Sequence, residues 1–180
     1  MSSQLQAHRL NIQALVQQGV PLTASTLLQN MKRLAKETQG SRPDLSVQWE
    51  ARAEYRPRPG FDDEVWLHLQ ANTAVPLTCQ RCMGAVLTLL RVNQWYRFVA
   101  TEDIAMAEDD QSEEDLLVME PQFDLLALLE DELLMALPLV PLHDSCPVVP
   151  TLRTGKTESV VESAEKPSPF AALAQLRKKK

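Results

Sequence analysis

The chain has 180 residues, 44% of them apolar, enough for one domain with a buried core that needs no disulfide framework. Its formal net charge of −6 excludes the bulk-basic class of nucleic-acid binder. No run approaches the ~20 apolar residues of a membrane span, and the polar start Met1-Ser2-Ser3-Gln4 lacks a basic-then-apolar signal, so the three cysteines are expected to be cytoplasmic thiols or metal ligands.

Residues 5–18 carry Leu5, Ile12, Leu15 and Val16 at loosely helical spacing, broken by Gly19 and Pro21. A second helix is predicted from a cap at Ser25 or Thr26, with Leu27, Leu28, Met31, Leu34 and Ala35 on one stripe. Residues 45–54 alternate with period two, which predicts a half-buried strand facing Leu45, Val47, Trp49, Ala51 and Ala53 inward. After the Pro57–Gly60 loop come a strand around Val65–Ala71, a short run at Val75–Cys79, a turn at Gln80–Gly84 and one or two strands within Ala85–Ala100. Short connections favour an antiparallel sheet.

The acidic stretch 101–115 predicts a mobile, solvated loop. A helix follows at about 124–137, capped by Asp124, with Leu125, Leu126, Leu129, Leu133 and Leu137 inward and Glu130, Asp131 and Glu132 mostly opposite. Pro138 and Pro141 end it. Residues 147–168 are poor in large apolar groups and predict a linker, and 169–180 predict a short basic C-terminal helix or tail. The expected organisation is therefore one α+β domain over 1–146. An antiparallel sheet at about 45–100 packs against the 124–137 helix and the N-terminal helices.

The sharpest chemical feature is Cys79-Gln80-Arg81-Cys82, two thiols spaced to converge in a tight turn. His143-Asp144-Ser145-Cys146 repeats that spacing 64 positions later. Together Cys79, Cys82, His143 and Cys146 supply three sulfurs and one imidazole, a complete tetrahedral set for a structural zinc ion. The set converges only if the 124–137 helix folds back over the sheet. The competing reading is ordinary reduced cysteines near turns. Four protein ligands leave no open position for catalytic water, and Cys79 does not open a helix as a redox thiolate would.

Charge is unevenly spread. Residues 1–58 hold eight Lys/Arg against four Asp/Glu, whereas 102–132 hold thirteen Asp/Glu and no Lys or Arg. Lys32, Arg33 and Lys36 (with Arg42) form a candidate phosphate-contacting face, and Arg177, Lys178, Lys179 and Lys180 a candidate contacting tail. A solvated helix side and a solubilising tail are the alternatives. Trp49, Trp66 and Trp95 have the chemistry to stack on bases, but apolar-rich strands favour core packing or cross-strand pairing for at least two of them. Consecutive carboxylates at Glu130–Glu132 diverge by ~100° per residue, which argues against a two-metal site. There is no phosphate-binding Gly-rich loop and no hydrolase motif.

Three blocks carry a family resemblance. Leu77-Thr78-Cys79-Gln80-Arg81-Cys82, the long segment Phe123 to His143 ending Leu-Pro-Leu-Val-Pro-Leu-His, and Lys166-Pro167-Ser168-Pro169-Phe170-Ala171-Ala172-Leu173 occur in the order and spacing of the YceD family, domain of unknown function 177. The resemblance covers roughly residues 25 to 177. It implies a role in synthesis, processing or stability of 23S ribosomal RNA, and no enzymatic activity. It does not supply the zinc site, which rests on the residues alone. The expected partners are 23S rRNA or its precursor, or a large-subunit ribosomal protein, with no membrane and no small-molecule substrate. A protein-only adaptor, touching a ribosomal protein or processing nuclease but no RNA, is the alternative. A metal-dependent hydrolase is the third.

Overall fold

The computed structural model describes residues 7–40, 44–60 and 62–147. The expected linker from 148 onward, the 169–180 segment and Arg42 lie outside them.

Helix α1, Ile12–Gln18, starts where the Asn11 side chain accepts from the Ala14 N–H and stops at Gly19 in the left-handed region. Strand β1 follows at Leu22–Leu27. This corrects the expected helix from residue 25. Thr23, Ser25 and Thr26 are better suited to a strand than to a helix interior, and Leu22, Ala24 and Thr26 alternate inward. The Thr26 hydroxyl is buried and accepts from the Trp49 indole N–H at 2.9 Å. A single 3₁₀ turn at Leu28–Asn30 then leads to α2, Lys32–Glu37. The apolar stripe survives in shortened form, with Leu28, Met31 and Leu34 buried.

Strands β2 (Ser46–Arg56), β3 (Glu64–Thr78) and β4 (Ala85–Val99) pair antiparallel with one another, and β1 pairs antiparallel with β2. The two runs expected at 65–71 and 75–79 are one strand passing through Pro76. The ring is tolerated because β2 ends its pairing at Asn72, so Pro76 lies beside an unpaired edge. Its carbonyl there accepts from the Gln39 backbone N–H at 2.7 Å.

The acidic stretch is ordered, against expectation. Thr101 caps α3 (Glu102–Glu108), and strand β5 (Asp115–Val118) adds to β4 in parallel. The sheet is therefore mixed, in the order β1-β2-β3-β4-β5, and its antiparallel part begins at residue 22 rather than 45. The cause is Arg97, whose side chain is buried. Its guanidinium lies 3.0 Å from Glu114, 2.7 Å from Glu108 and 3.4 Å from Glu64, and donates to the Ser112 hydroxyl. Arg97, with Arg58 3.3 Å from Glu64 and 3.9 Å from Glu108, thus fastens the acidic segment to the sheet.

Arg97→Ala leaves those carboxylates with Arg58, half-exposed and paired with Glu64 and Glu108, as their remaining cation among the described residues. Their partial exposure, 20–33%, discounts the cost to about 2 kcal/mol, readable by urea denaturation. The Arg97 hydrogen bond also holds the Glu108 carboxyl below its ordinary range. A depressed carboxylate stabilises fully above its unfolded-state pKa, and that stabilisation is lost as pH falls through the folded value. Glu108→Gln should therefore flatten the fall in Tm below the ordinary carboxylate range and leave its slope near neutrality unchanged.

Helix α4, Leu125–Met135, begins at Asp124, whose carboxylate accepts from the Ala127 N–H. It buries Leu125, Leu126, Leu129 and Leu133. These join Ile12, Leu15 and Leu34 against Val47, Trp49, Leu67, Leu69, Val92 and Tyr96 in one core on one side of the sheet. Before α4, Leu10 and Phe123 form an antiparallel bridge, with both backbone hydrogen bonds at 2.9 Å. The chain after α4 turns back along the end of β3 and β4. Among the described residues no helix is long and apolar enough to cross a membrane.

Candidate metal centre

The β3–β4 connection is a tight turn. The Cys79 N–H donates to the Gly84 carbonyl and the Met83 N–H to the Cys79 carbonyl, both at 2.9 Å. Met83 takes a positive φ of 60°, the left-handed conformation that a turn this sharp requires. The second turn is delivered by the Pro138–Pro141 stretch, which cannot continue α4. It is stitched to the first by the Gln80 N–H, which donates to the Pro141 carbonyl at 2.9 Å.

The two turns bring Cys79, Cys82, His143 and Cys146 together, with all four donor atoms within 4.8 Å of one another. The Cys79 and Cys146 sulfurs are 3.8 Å apart, and the Cys82 sulfur is 3.4 Å from His143 Nδ1. Ligands of a tetrahedral ion with bonds of 2.3 Å to sulfur and 2.0–2.1 Å to nitrogen sit at about 3.8 Å (S···S) and about 3.5 Å (S···N). The donor set and its spacing suit such an ion. His143 Nε2–H donates to the Ala85 carbonyl at 3.0 Å, which leaves Nδ1 as the lone-pair donor facing the sulfurs.

Electrostatics favour the same use. Burial opposes charge on Cys79, but the N–H groups of Cys82, His143 and Arg81 converge on its sulfur and lower its pKa to about 5. Burial and the neighbouring sulfurs of Cys82 and Cys79 raise Cys146 to about 11. The site thus favours a thiolate at Cys79 and opposes one at Cys146 unless a cation lies beside it.

One supporting residue has no sequence signal. Gln39, just past α2, donates from its amide to the Met83 carbonyl at 3.2 Å and braces the first turn from outside. Of the basic candidates, Arg33 is engaged. Its guanidinium pairs with Glu130 and Asp131, and Glu130 Oε1 also accepts the Arg33 and Leu34 backbone N–H groups at 2.7 and 3.1 Å. Glu130 thereby caps α2, whose own N-cap residue Met31 makes no side-chain capping bond. Lys32 and Lys36 are exposed on the same helix. Arg177, Lys178, Lys179 and Lys180 lie outside the described residues. Trp49 is buried in the core, while Trp66 and Trp95 pair across strands on the sheet's other face.

Fold and site define a small α+β protein whose Cys₃His cluster clasps a strand turn to the loop after a helix. Comparison with known proteins gives the class a family. The family described as "Large ribosomal RNA subunit accumulation protein YceD" matches residues 67–177, and the chain belongs to that family. A protein of Haemophilus influenzae bearing the same description is 39% identical over 119 residues, covering 58% of this chain. The match spans 61% of that relative's length. No solved structure matches the chain.

Proposed function

We propose that this chain is a non-catalytic cytoplasmic factor that supports accumulation of the large-subunit ribosomal RNA, with a zinc ion as a structural clasp. Family membership carries the reading, since the family's description names that RNA. The clasp supports the non-catalytic part. Three sulfurs and one imidazole fill a tetrahedral ion and leave no position for an activated water. The clasp fixes the loop at 138–146 against the ends of β3 and β4, so the metal maintains a recognition surface rather than a reaction centre. Its target is precursor 23S rRNA or a large-subunit protein bound to it.

The test is genetic. Deleting the gene in its own host should lower the ratio of 23S to 16S rRNA, and the full chain supplied in trans should restore it. A ratio unchanged by deletion overturns the reading. So does zinc-loaded protein that cleaves 23S fragments and loses that activity on chelation.

A further inference from the structure

We propose that the sheet face opposite the core, open among the described residues, is a binding site for single-stranded RNA, which rests on the ribosomal-RNA reading above. The core occupies one side of the sheet. Across β1 to β4 the other side is a shallow groove of about 1130 Å³, lined by Ser25, Gln48, Gln70, Asn72, Arg91 and Asn93. Along β4 from Leu89 to Trp95 the face runs about 20 Å, room for about four nucleotides.

The side chains of this face are those that base edges need. Asn72 and Asn93 lie on adjacent strands one step apart, with Asn72 opposite Arg91 and Gln70 opposite Asn93. Asn93 Oδ1 accepts from His68 Nε2 at 2.7 Å and from the Gln70 amide at 3.1 Å, which turns the Asn93 NH₂ outward as a fixed pair of donors. The Asn72 side chain makes no hydrogen bond among the described residues, so both its donors and its acceptor are available. Arg91 is exposed, with no carboxylate in ion-pair reach among the described residues. It offers a cation to a phosphate from the middle of the amide row.

The two ends of the groove carry aromatic and apolar side chains. At one end His68 stacks on Trp95, with centroids 4.2 Å apart and planes at 6°. The Arg56 guanidinium lies 4.0 Å from Trp95 and 4.2 Å from Trp66, which stiffens this ledge. At the other end Leu87 and Leu89 stand 67% and 68% exposed on the same side of β4. One carboxylate, Glu50, lines the groove opposite Gln70, and beyond the ledge Glu64, Glu108 and Glu114 are held by Arg97. Duplex RNA buries the edges that amides read, whereas a single strand splays them. With few cations on the face, hydrogen bonds and stacking must carry most of the affinity.

The experiment is fluorescence anisotropy of a labelled 12-nucleotide single-stranded RNA with the full zinc-loaded chain at 50–200 mM salt. The single strand should bind at least tenfold more tightly than a duplex of the same length. Arg91→Glu and Leu89→Glu each alter an exposed side chain and should weaken binding at least tenfold with unchanged circular dichroism. Arg91→Ala should reduce the salt slope by about one. Lys32→Ala with Lys36→Ala should leave affinity within twofold. No RNA binding, equal affinity for duplex, or loss only in the lysine variant overturns the proposal. So does capture of a ribosomal protein, abolished by Arg91→Glu, in the absence of RNA binding. A deletion that lowers 23S rRNA while the face binds no RNA sinks this site and spares the functional reading. RNA binding with normal 23S levels does the reverse.

Discussion

Cys79→Ser is expected to take bound zinc from one ion per chain to none, and Cys146→Ser to do the same. Both sulfurs lie on one edge of the ligand set, 3.8 Å apart, and a hydroxyl there is a poor substitute for a thiolate. A ligand at a thousandfold excess over its Kd stabilises the native state by about 4 kcal/mol, so Tm should fall by roughly 10–20 °C for a domain of this size. The chain should nevertheless remain folded. Its core is closed by Leu67, Leu69, Tyr96, Leu129 and Leu133, each at most 1% exposed, and in this it differs from a zinc finger, where the metal supplies nearly all the folding energy. Loss of metal should free the loop at 138–147 first. Hydrogen exchange at the Gln80 N–H, which donates to Pro141, should rise toward that of an open loop while Leu69 remains protected. Metal analysis of the reduced protein with thermal melts, with and without a chelator, checks the rest. An unchanged Tm on complete metal removal rejects the clasp.

Leu129→Ala should have the opposite signature. Leu129 is fully buried in the middle of α4, and its truncation removes apolar contacts and leaves a cavity, for a loss of about 3 kcal/mol. Urea denaturation should show a lower midpoint with the same slope. Metal content should remain at one per chain, because Cys79 and Cys82 sit on the β3–β4 turn, His143 and Cys146 lie beyond Pro138, and the two turns are joined by the Gln80–Pro141 hydrogen bond rather than by this side chain. The two variants together separate the core from the clasp. If Leu129→Ala also emptied the site, α4 and the ligand loop would form one cooperative unit.

The parts of this architecture readable in the sequence are those with a strong local period. The alternation at Val47–Ala53 specifies β2 and its buried face, and Asp124 with the leucines of α4 specifies that helix. The four ligands were legible for a different reason, since two pairs at equal spacing complete a coordination number. The misreadings trace to non-local terms. Residues 22–27 form a strand because β2 offers an edge and Thr26 meets Trp49, neither of which appears in local spacing. The 101–115 segment looks solvated until Arg97, buried on β4, pairs with Glu108 and Glu114. Arg33 looks like a free cation until α4 brings Glu130 and Asp131 beside it. The sheet face opposite the core had its signal in the alternate residues of β3 and β4, where Gln70, Asn72, Arg91 and Asn93 replace the apolar side chains a second layer would need.

The bridge between Leu10 and Phe123 orders events in time. During synthesis, β1 to β4 can pair as each hairpin leaves the exit tunnel, but Leu10 meets its bridge partner only after more than a hundred further residues have been made. Cys79 and Cys82 likewise await a histidine and a cysteine translated over sixty codons later. The nascent chain therefore carries a sheet whose apolar side is only partly covered, by α1 and α2, until α4 is made, and such long-range closure is slow. The vulnerability of this protein to aggregation is thus concentrated in the interval before α4 emerges.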